Sequence, residues 1–231
     1  MKIFINQPKI NARARLSNLA SIGGLILLLA SVVIPVLQPA WANVAYAFMI
    51  AGMGVAMVGI YFANRWVRKP RPEESLAKAL KSFDDKYCLY HYPALLCDHL
   101  LLTPSGLVIL ETINLAGDFS YKNGKWKEAM SIGRALRYIV EERVSNPVLS
   151  AKQLEEELRR QLTRELGADF SIPIRSITVF THPLVRLAIE HAPVPICKID
   201  KLKKQISSKE ARLAPDLYDR VASFLERKTI Q

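Results

Sequence analysis

The first third of this 231-residue chain lacks acidic residues. No Asp or Glu precedes Glu73, and no charged residue of either sign lies between Arg15 and Arg65. A single membrane-spanning helix needs about 20 apolar residues, so the uncharged stretch is too long for one span and suits two. The composition therefore predicts a membrane region followed by one globular domain large enough to bury its own core.

Two apolar runs fill the uncharged stretch, and Pro39 and Trp41 lie in the short segment between them. Basic residues flank both runs on their outer sides, whereas the short segment has none. The positive-inside rule then predicts a protein of the cell (inner) membrane, with both termini and the globular domain in the cytoplasm. The predicted segments are a basic N-terminus (1–16), two transmembrane helices within 17–63 (17–37 and 43–63), a basic linker (64–72) and a cytoplasmic domain (73–231).

The apolar region also has alternative interpretations. Ala40-Trp41-Ala42 resembles the cleavage site of a signal peptide, but the first apolar run is longer than a usual signal-peptide core and a second run follows directly. Small residues in the second run, such as Gly52 and Ala56, would allow close packing of the two helices or a homodimer through the hairpin. Ordinary small residues in a membrane helix are an equally good explanation.

Charge and cysteine content limit the partners of the domain. Residues 1–71 carry eight of the eleven net positive charges, so the high pI reflects membrane topology and is weak evidence for nucleic-acid binding. Three cysteines without metal or redox spacing indicate reduced, structural thiols. One basic cluster could contact phosphates or form a solvated helix face: Lys198, Lys201, Lys203 and Lys204.

The remaining chain alternates between helical and strand patterns. A helix begins near Glu73, and a second extends from Asn146-Pro147 to Gly167 with leucine at every fourth position. Turn signals at 104–106 and 122–125 separate apolar runs typical of strands. We predict strands at 87–92, 95–103, 107–113, 174–180 and 194–199, and closing helices at 201–206 and 215–227. This order indicates a mixed α/β layer fold.

Two acidic residues occur in otherwise apolar strand patterns. The chain contains no P-loop, GxSxG, HExxH or dinucleotide-binding glycine motif. Asp98 and Glu111, however, lie on adjacent strands of a predicted hairpin, where two carboxylates can converge and hold Mg²⁺ with water and phosphate oxygens. Such a metal can activate water and stabilise displacement at a phosphodiester. The alternative is that both side chains face solvent on the polar side of a half-buried sheet.

Residues 98–112 (DHLLLTPSGLVILET) resemble the core of the nuclease-related domain family, NERD. The family pattern is an Asp-His pair, an apolar strand, a Pro-x-Gly turn and a strand that ends in Glu-Thr-Lys-Asn. The resemblance covers about residues 73–205. Further positions agree with the family in order and spacing: Gly117, Trp126, Asn146-Pro147, Gln153 and the strand 174–180.

The resemblance implies a restriction-endonuclease-like fold with a PD-(D/E)xK site. It predicts a mixed sheet flanked by helices, preceded here by the transmembrane helical hairpin. Asp98 and Glu111 would bind Mg²⁺ or Mn²⁺. Glu73 or Glu74 would match a glutamate of the first helix, with Glu74 the one we assign to the site, and Gln153 would match a polar residue of the later helix.

The sequence departs from the family pattern at one position. Ile113 stands where the family has a lysine, two residues after the glutamate. Because isoleucine carries no charge and donates no hydrogen bond, we expect a catalytically degenerate domain, a pseudoenzyme that binds DNA or a protein partner at the lipid bilayer. The alternatives are an active Mg²⁺-dependent DNA nuclease with a migrated lysine, with Lys122, Lys125 and Lys127 nearby in sequence, and a structural membrane assembly module.

Overall fold

The computed structural model of the chain describes residues 1–129, 145–167, 171–206 and 212–230. These residues form two compact units. One is helical and comprises Gln7–Arg71, and the other contains Met1–Asn6 together with the described residues from Pro72 onward. The chain therefore begins in an α/β unit, passes through the helical unit and returns to the α/β unit.

The helical unit consists of two long helices, α1 (Gln7–Leu37) and α2 (Ala42–Trp66), joined through a 3₁₀ turn at Pro39–Trp41. Both are long and apolar enough to cross a membrane. Only 6% of the most apolar stretch of α1 and 17% of that of α2 are buried, whereas the core helix of a soluble protein would be mostly buried. The structure thus confirms two candidate membrane spans, each in a helix longer than predicted.

Small residues recur every seventh position where α1 and α2 meet. Ser17 and Gly24 are the buried members of the apolar part of α1. The Ser17 hydroxyl donates a hydrogen bond of 3.1 Å to the carbonyl oxygen of Gly59. In α2 the buried residues follow the same spacing: Ala45, Gly52, Gly59 and Trp66. A repeat of seven is typical of helices that pack side by side with a left-handed crossing. Small side chains let the two backbones approach closely.

The α/β unit contains two sheets and four described helices. The strands are β1 (Lys2–Ile5), β2 (Cys88–His91), β3 (His99–Thr103), β4 (Gly106–Ile113), β5 (Gly117–Lys122), β6 (Lys125–Glu128), β7 (Ile174–Phe180), β8 (Val185–Ile189) and β9 (Ile196–Lys198). The helices are α3 (Pro72–Leu80), α4 (Pro147–Leu166), α5 (Leu202–Ile206) and α6 (Pro215–Ile230).

The larger sheet has the strand order β1-β2-β3-β4-β7-β9. The inner pairs β2–β3 and β3–β4 are antiparallel, whereas β1–β2, β4–β7 and β7–β9 are parallel. The smaller sheet has the order β6-β5-β8. A mixed sheet of this kind, preceded by two long apolar helices, confirms the predicted fold class.

Helices cover both faces of the larger sheet. On one face, Leu76 and Leu80 of α3 and Leu202 of α5 pack against inner strand residues such as Leu101. On the other face, the core residues from α4 and α6 are Leu158, Leu162, Val221, Phe224 and Leu225. Because the central strands are buried on both faces, they have the continuous apolar sequences by which they were predicted.

Local sequence signals account for several boundaries. The Asn146 side chain caps α4 by accepting a hydrogen bond of 3.1 Å from the backbone N–H of Val148. Gly106 occupies the turn between β3 and β4 with a φ of +149°, and a Cβ atom there would lie 2.5 Å from the carbonyl oxygen of Pro173. Both features agree with the predicted helix start and turn. The three cysteines are free and buried, as expected of structural thiols.

Strand β1 is an element that the sequence did not predict. Its residues pair in parallel with β2, from Lys2 beside Cys88 to Ile5 beside His91. The backbone N–H of Asn6 continues the pairing by donating to the carbonyl oxygen of His91 at 3.1 Å. The basic residues near the N-terminus favoured a simple membrane flank, yet residues 2–5 form the edge strand of the larger sheet.

Candidate functional site

Asp98 immediately precedes β3, and Glu111 lies near the end of the neighbouring strand β4. The antiparallel register of β3 and β4 pairs Leu100 with Ile109. Two further steps along the same register bring Asp98, which immediately precedes β3, opposite Glu111 within β4. Directly opposed residues on antiparallel strands have Cβ atoms about 5 Å apart. Both acids are partly exposed, so the extended register would place two accessible carboxylates opposite each other.

Asp98, Glu111 and their neighbours across the strands form what we call the acid row. Thr178 of β7 belongs to it, next to Glu111. It is the register partner of Glu111 in the parallel pair β4–β7 and is fully buried. Its hydroxyl donates to Oε2 of Glu111 across 3.4 Å, a long hydrogen bond. The contact aims one carboxylate oxygen of Glu111 toward β7.

Tyr92 belongs to the acid row on the side of Asp98. Its backbone N–H donates to the carbonyl oxygen of Asp98. Its hydroxyl donates to Oε2 of Glu73 at 3.0 Å, and Glu73 is only 3% exposed. Glu74, the glutamate of the first helix that we assigned to the site, is only partly buried. The glutamate that α3 directs into the α/β unit is therefore Glu73.

His91 and His99 form a buried pair next to this row. Their Nδ1 atoms lie 2.9 Å apart, so one ring donates and the other accepts. Burial, and then the neighbouring His99, lower the pKa of His91 well below its ordinary value. Nε2 of His91 is buried and has no hydrogen-bond partner among the described residues. A buried pair of this kind is typical of histidines with a structural role.

Ile113 packs into an apolar cluster beside the acids. It lies against the buried rings of Phe119 and Phe180, whose centroids are 4.9 Å apart. Trp126 of β6 stacks on Phe119 with a centroid distance of 5.6 Å. Ile113, two residues beyond Glu111, is thus partly buried against a cluster that includes aromatic side chains of the second sheet. This surrounding suits isoleucine and would be unfavourable for an unpaired ammonium group.

Residues 71–181 match the family model of the nuclease-related domain, NERD. The chain carries a nuclease-related domain. The matched part of this NERD domain begins next to α3, ends directly after β7 and includes both acids of the row. No curated protein and no solved structure shows a significant match to the chain.

The lysines nearest Glu111 in sequence belong to the smaller sheet of the NERD domain. Lys122 forms a salt bridge of 2.6 Å with Glu190, which engages its ammonium group. Lys125 and Lys127 are exposed on β6, at the edge of that sheet. These positions direct the three lysines toward the surface of the smaller sheet.

The lysine cluster lies around β9 and α5. Lys198 is half-buried and lies in one cross-strand row with Ile113, but Phe180 is the register partner of both and fills the space between them. Lys201 and Lys204 are exposed, and Lys203 lies over the ring of Phe83 at 5.9 Å. The positive charges of the cluster therefore lie around β9 and α5, with Phe180 between Lys198 and Ile113.

Gln153 lies on the exposed side of α4, two residues after Ala151. Ala151 is fully buried, and its carbonyl oxygen accepts a hydrogen bond from Ser176 of β7. Two residues along a helix correspond to a rotation of about 200°, so Gln153 lies on the side of α4 that faces away from the sheet.

The chemistry of the row is that of paired oxygen donors. Carboxylates are the ligands that Mg²⁺ and Mn²⁺ prefer, and such ions usually keep several waters beside one or two carboxylates. Asp98 and Glu111 fit that donor set. In the part of the chain that the structure describes, no group of three or more His, Cys, Asp or Glu side chains has metal-binding geometry. Water and substrate oxygens would complete the coordination.

Tyr92 is the residue of this region that the sequence did not single out. One signal was available: Tyr92 directly precedes Pro93, and a proline marks the end of a strand pattern. Its hydroxyl partner is set by the direction in which α3 packs. That direction depends on tertiary structure.

Proposed function

We propose that this chain is a membrane-anchored NERD-domain protein that binds a divalent metal and nucleic acid at Asp98 and Glu111, with little or no nuclease activity. The observation that carries the proposal is the packing of Ile113 against Phe119 and Phe180. The family's lysine would stand at this position and would stabilise charge that develops during cleavage. Losing a group of that kind typically lowers the rate by a factor of about 10²–10³.

The β3–β4 register, which when extended brings Asp98 opposite Glu111, supports the metal-binding part of the proposal. Asp98 and Glu111 would contribute oxygens from two strands, and Thr178 would keep Glu111 oriented. A bound Mg²⁺ would supply electrostatic stabilisation for phosphate oxygens. The residues of this chain would hold the ion and a nucleic-acid phosphate, while Ile113 presents an apolar side chain where the family has its lysine.

Strand β1 supports the topology part of the proposal. It belongs to the sheet of the NERD domain, and α1 begins at Gln7, directly after the residue that follows the strand. The domain resumes at Pro72 after α2. If the two helices span the bilayer, both of their outer ends must reach the same side, which agrees with the basic flanks and a cytoplasmic domain.

The test uses the full chain in detergent, because Met1–Asn6 is part of the α/β unit. Mn²⁺ affinity, binding of a duplex DNA and cleavage of that DNA would be measured for the natural chain, Glu111→Ala and Glu156→Ala. Glu156 is an exposed carboxylate of α4 and serves as the matched control. We expect metal binding that Glu111→Ala weakens at least tenfold, DNA binding without cleavage, and no effect of Glu156→Ala.

Other outcomes would separate the remaining explanations. Cleavage that disappears in Glu111→Ala would show an active nuclease that uses a lysine from elsewhere. Cleavage that persists in Glu111→Ala would indicate a contaminating enzyme. A chain that binds neither Mn²⁺ nor DNA would favour a structural assembly module or a protein-binding role.

A further inference from the structure

We propose that Tyr92 and Glu73 form a positioning pair that fixes Asp98 for metal binding. The inference rests on the proposed metal site and assigns a role to two residues beside it. Neither side chain needs to touch the metal for this role. The pair would act through the backbone of Asp98, by holding it opposite Glu111.

Tyr92 is held in an unusual backbone conformation. Its φ of +57° lies in the left-handed region, which residues other than glycine seldom adopt. The residue is only 2% exposed. A bulky residue remains in such a conformation only when its surroundings determine it strongly, and conformations of this kind cluster at functional sites.

Three contacts hold Tyr92 in place. Its hydroxyl donates to Oε2 of Glu73 at 3.0 Å. Its ring meets the ring of His99 at a centroid distance of 4.9 Å and an interplanar angle of 61°. Its backbone N–H donates to the carbonyl oxygen of Asp98. The last contact continues the β2–β3 register one step beyond the pair of His91 and His99.

This extra step matters because Asp98 lies outside the regular strand. β3 begins at His99, and the residues between Tyr92 and Asp98 form a loop without regular secondary structure. The hydrogen bond from Tyr92 closes that loop at its base. It extends the β2–β3 pairing by one step to Asp98, and an extension of the β3–β4 register by two steps places Asp98 opposite Glu111.

Glu73 anchors the pair in the helix layer. It lies in the first turn of α3, and its carboxylate is buried where it accepts the Tyr92 hydroxyl. Leu76 and Leu80, one and two turns further along α3, are fully buried against the sheet. The helix thus fixes the position of the Tyr92 hydroxyl, and the backbone N–H of Tyr92 in turn fixes the position of Asp98.

The test compares two tyrosine hydroxyls in the full chain. Tyr92→Phe removes the hydrogen bond to Glu73, whereas Tyr218→Phe removes one of 2.9 Å to the carbonyl oxygen of Lys86, elsewhere in the domain. Mn²⁺ affinity would be measured by calorimetry, together with the melting temperature. Because residues that support metal ligands typically affect metal affinity 10- to 100-fold, we expect Tyr92→Phe to weaken Mn²⁺ binding about tenfold. Tyr218→Phe should leave the affinity unchanged.

Two variants of Glu73 separate the hydrogen bond from the charge. Glu73→Gln keeps an oxygen that can accept from Tyr92, whereas Glu73→Ala removes it. We expect Mn²⁺ affinity near the natural value in Glu73→Gln and a loss of about tenfold in Glu73→Ala. Equal losses in both variants would show that Glu73 acts by its charge and would overturn the positioning role.

The outcomes separate this inference from the proposed function. If the natural chain and Tyr218→Phe bind no Mn²⁺, the proposed metal site itself is wrong. If both bind Mn²⁺ and Tyr92→Phe binds equally well, the metal site stands and the positioning pair is wrong. Parallel losses of affinity and melting temperature in both tyrosine variants would indicate a general effect on stability, which also overturns the pair.

Discussion

Phe4 and Tyr90 stack on each other, with ring centroids 5.0 Å apart and ring planes 8° apart. Phe4 precedes the two long helices in the sequence, and Tyr90 follows them. The contact joins β1 to the core of the α/β unit, where the N–H of Lys2 also donates to the carbonyl oxygen of Tyr87 at 3.0 Å. The α/β unit therefore includes the residues directly before α1 as well as the residues after α2.

The stacking predicts that β1 contributes to the stability of the NERD domain. Replacement of a fully buried phenylalanine by alanine typically destabilises a protein by about 3–5 kcal/mol. Because Phe4 is only half-buried, we expect Phe4→Ala to lower the free energy of unfolding by about 2 kcal/mol. Ile3→Ala is the control, because Ile3 is 43% exposed and should cost less than about 0.5 kcal/mol. Hydrogen exchange of the β2 amides in the full chain would measure both. Equal effects would contradict the role of the stack.

The close packing of α1 and α2 predicts that two adjacent glycines of α1 respond in opposite ways to replacement by alanine. A Cβ atom on Gly24 would lie 2.7 Å from the backbone nitrogen of Ala56, whereas one on Gly23 would meet nothing within 4 Å. We expect Gly24→Ala to destabilise the helix pair by about 1–3 kcal/mol. Gly23→Ala should be neutral or stabilising by up to about 1 kcal/mol, since alanine is the better helix former. Thermal unfolding in detergent would compare them, and similar melting temperatures would argue against the packing.

The lysine cluster predicts a salt-dependent contribution to DNA binding. Lys198, Lys201 and Lys204 would be replaced together by Gln, while Lys203 is kept because it packs over Phe83. If the three ammonium groups contact phosphates, DNA affinity falls, and the slope of log affinity against log salt decreases by about one for each lost contact. The matched control replaces Lys125 and Lys127, which are exposed on the smaller sheet. An unchanged slope in the triple variant would identify the cluster as a solvated surface.

The buried histidine pair predicts that stability falls in mild acid. The folded state lowers the pKa of His91 below its ordinary value of 6.5, chiefly through burial. Below that pH the unfolded chain takes up a proton that folded His91 does not. The free energy of unfolding should therefore decrease as pH falls below 6.5, by up to about 1.4 kcal/mol per pH unit.

Urea denaturation between pH 7.5 and pH 5 would measure this dependence in the full chain. His91→Gln should reduce the slope, because the titrating group is removed. His191→Gln should leave the slope unchanged, because His191 is exposed. The interpretation fails if both variants retain the full slope.

Much of the fold could be predicted from local patterns. The strand at 174–180, the capped start of α4 and the turn at Gly106 are encoded by neighbouring residues, and each is present in the structure. Strand β1 could not be predicted because four residues beside basic positions carry no periodic signal strong enough to distinguish a strand. Its partner, β2, lies more than 80 residues away in the sequence.

In the candidate site, too, some features could be predicted from local sequence and others depend on tertiary packing. Asp98 and Glu111 stand out because acids are costly in apolar strands, so their residue types alone draw attention to them. The choice between Glu73 and Glu74 depends on the rotation of α3, since adjacent helical residues differ by about 100° in direction. Only the packing of Leu76 and Leu80 against the sheet fixes that rotation.

The sequence by itself determined the two candidate membrane spans, the mixed α/β class, the acid pair and the replacement of the family's lysine by Ile113. Each of these depends on composition, periodicity or a motif, which are local properties of the chain. The tertiary structure decided that β1 completes the sheet, that Tyr92 joins Glu73 to Asp98 and that Ile113 packs against aromatic rings. Those features depend on register and helix rotation, which are set when distant segments bury their apolar faces together.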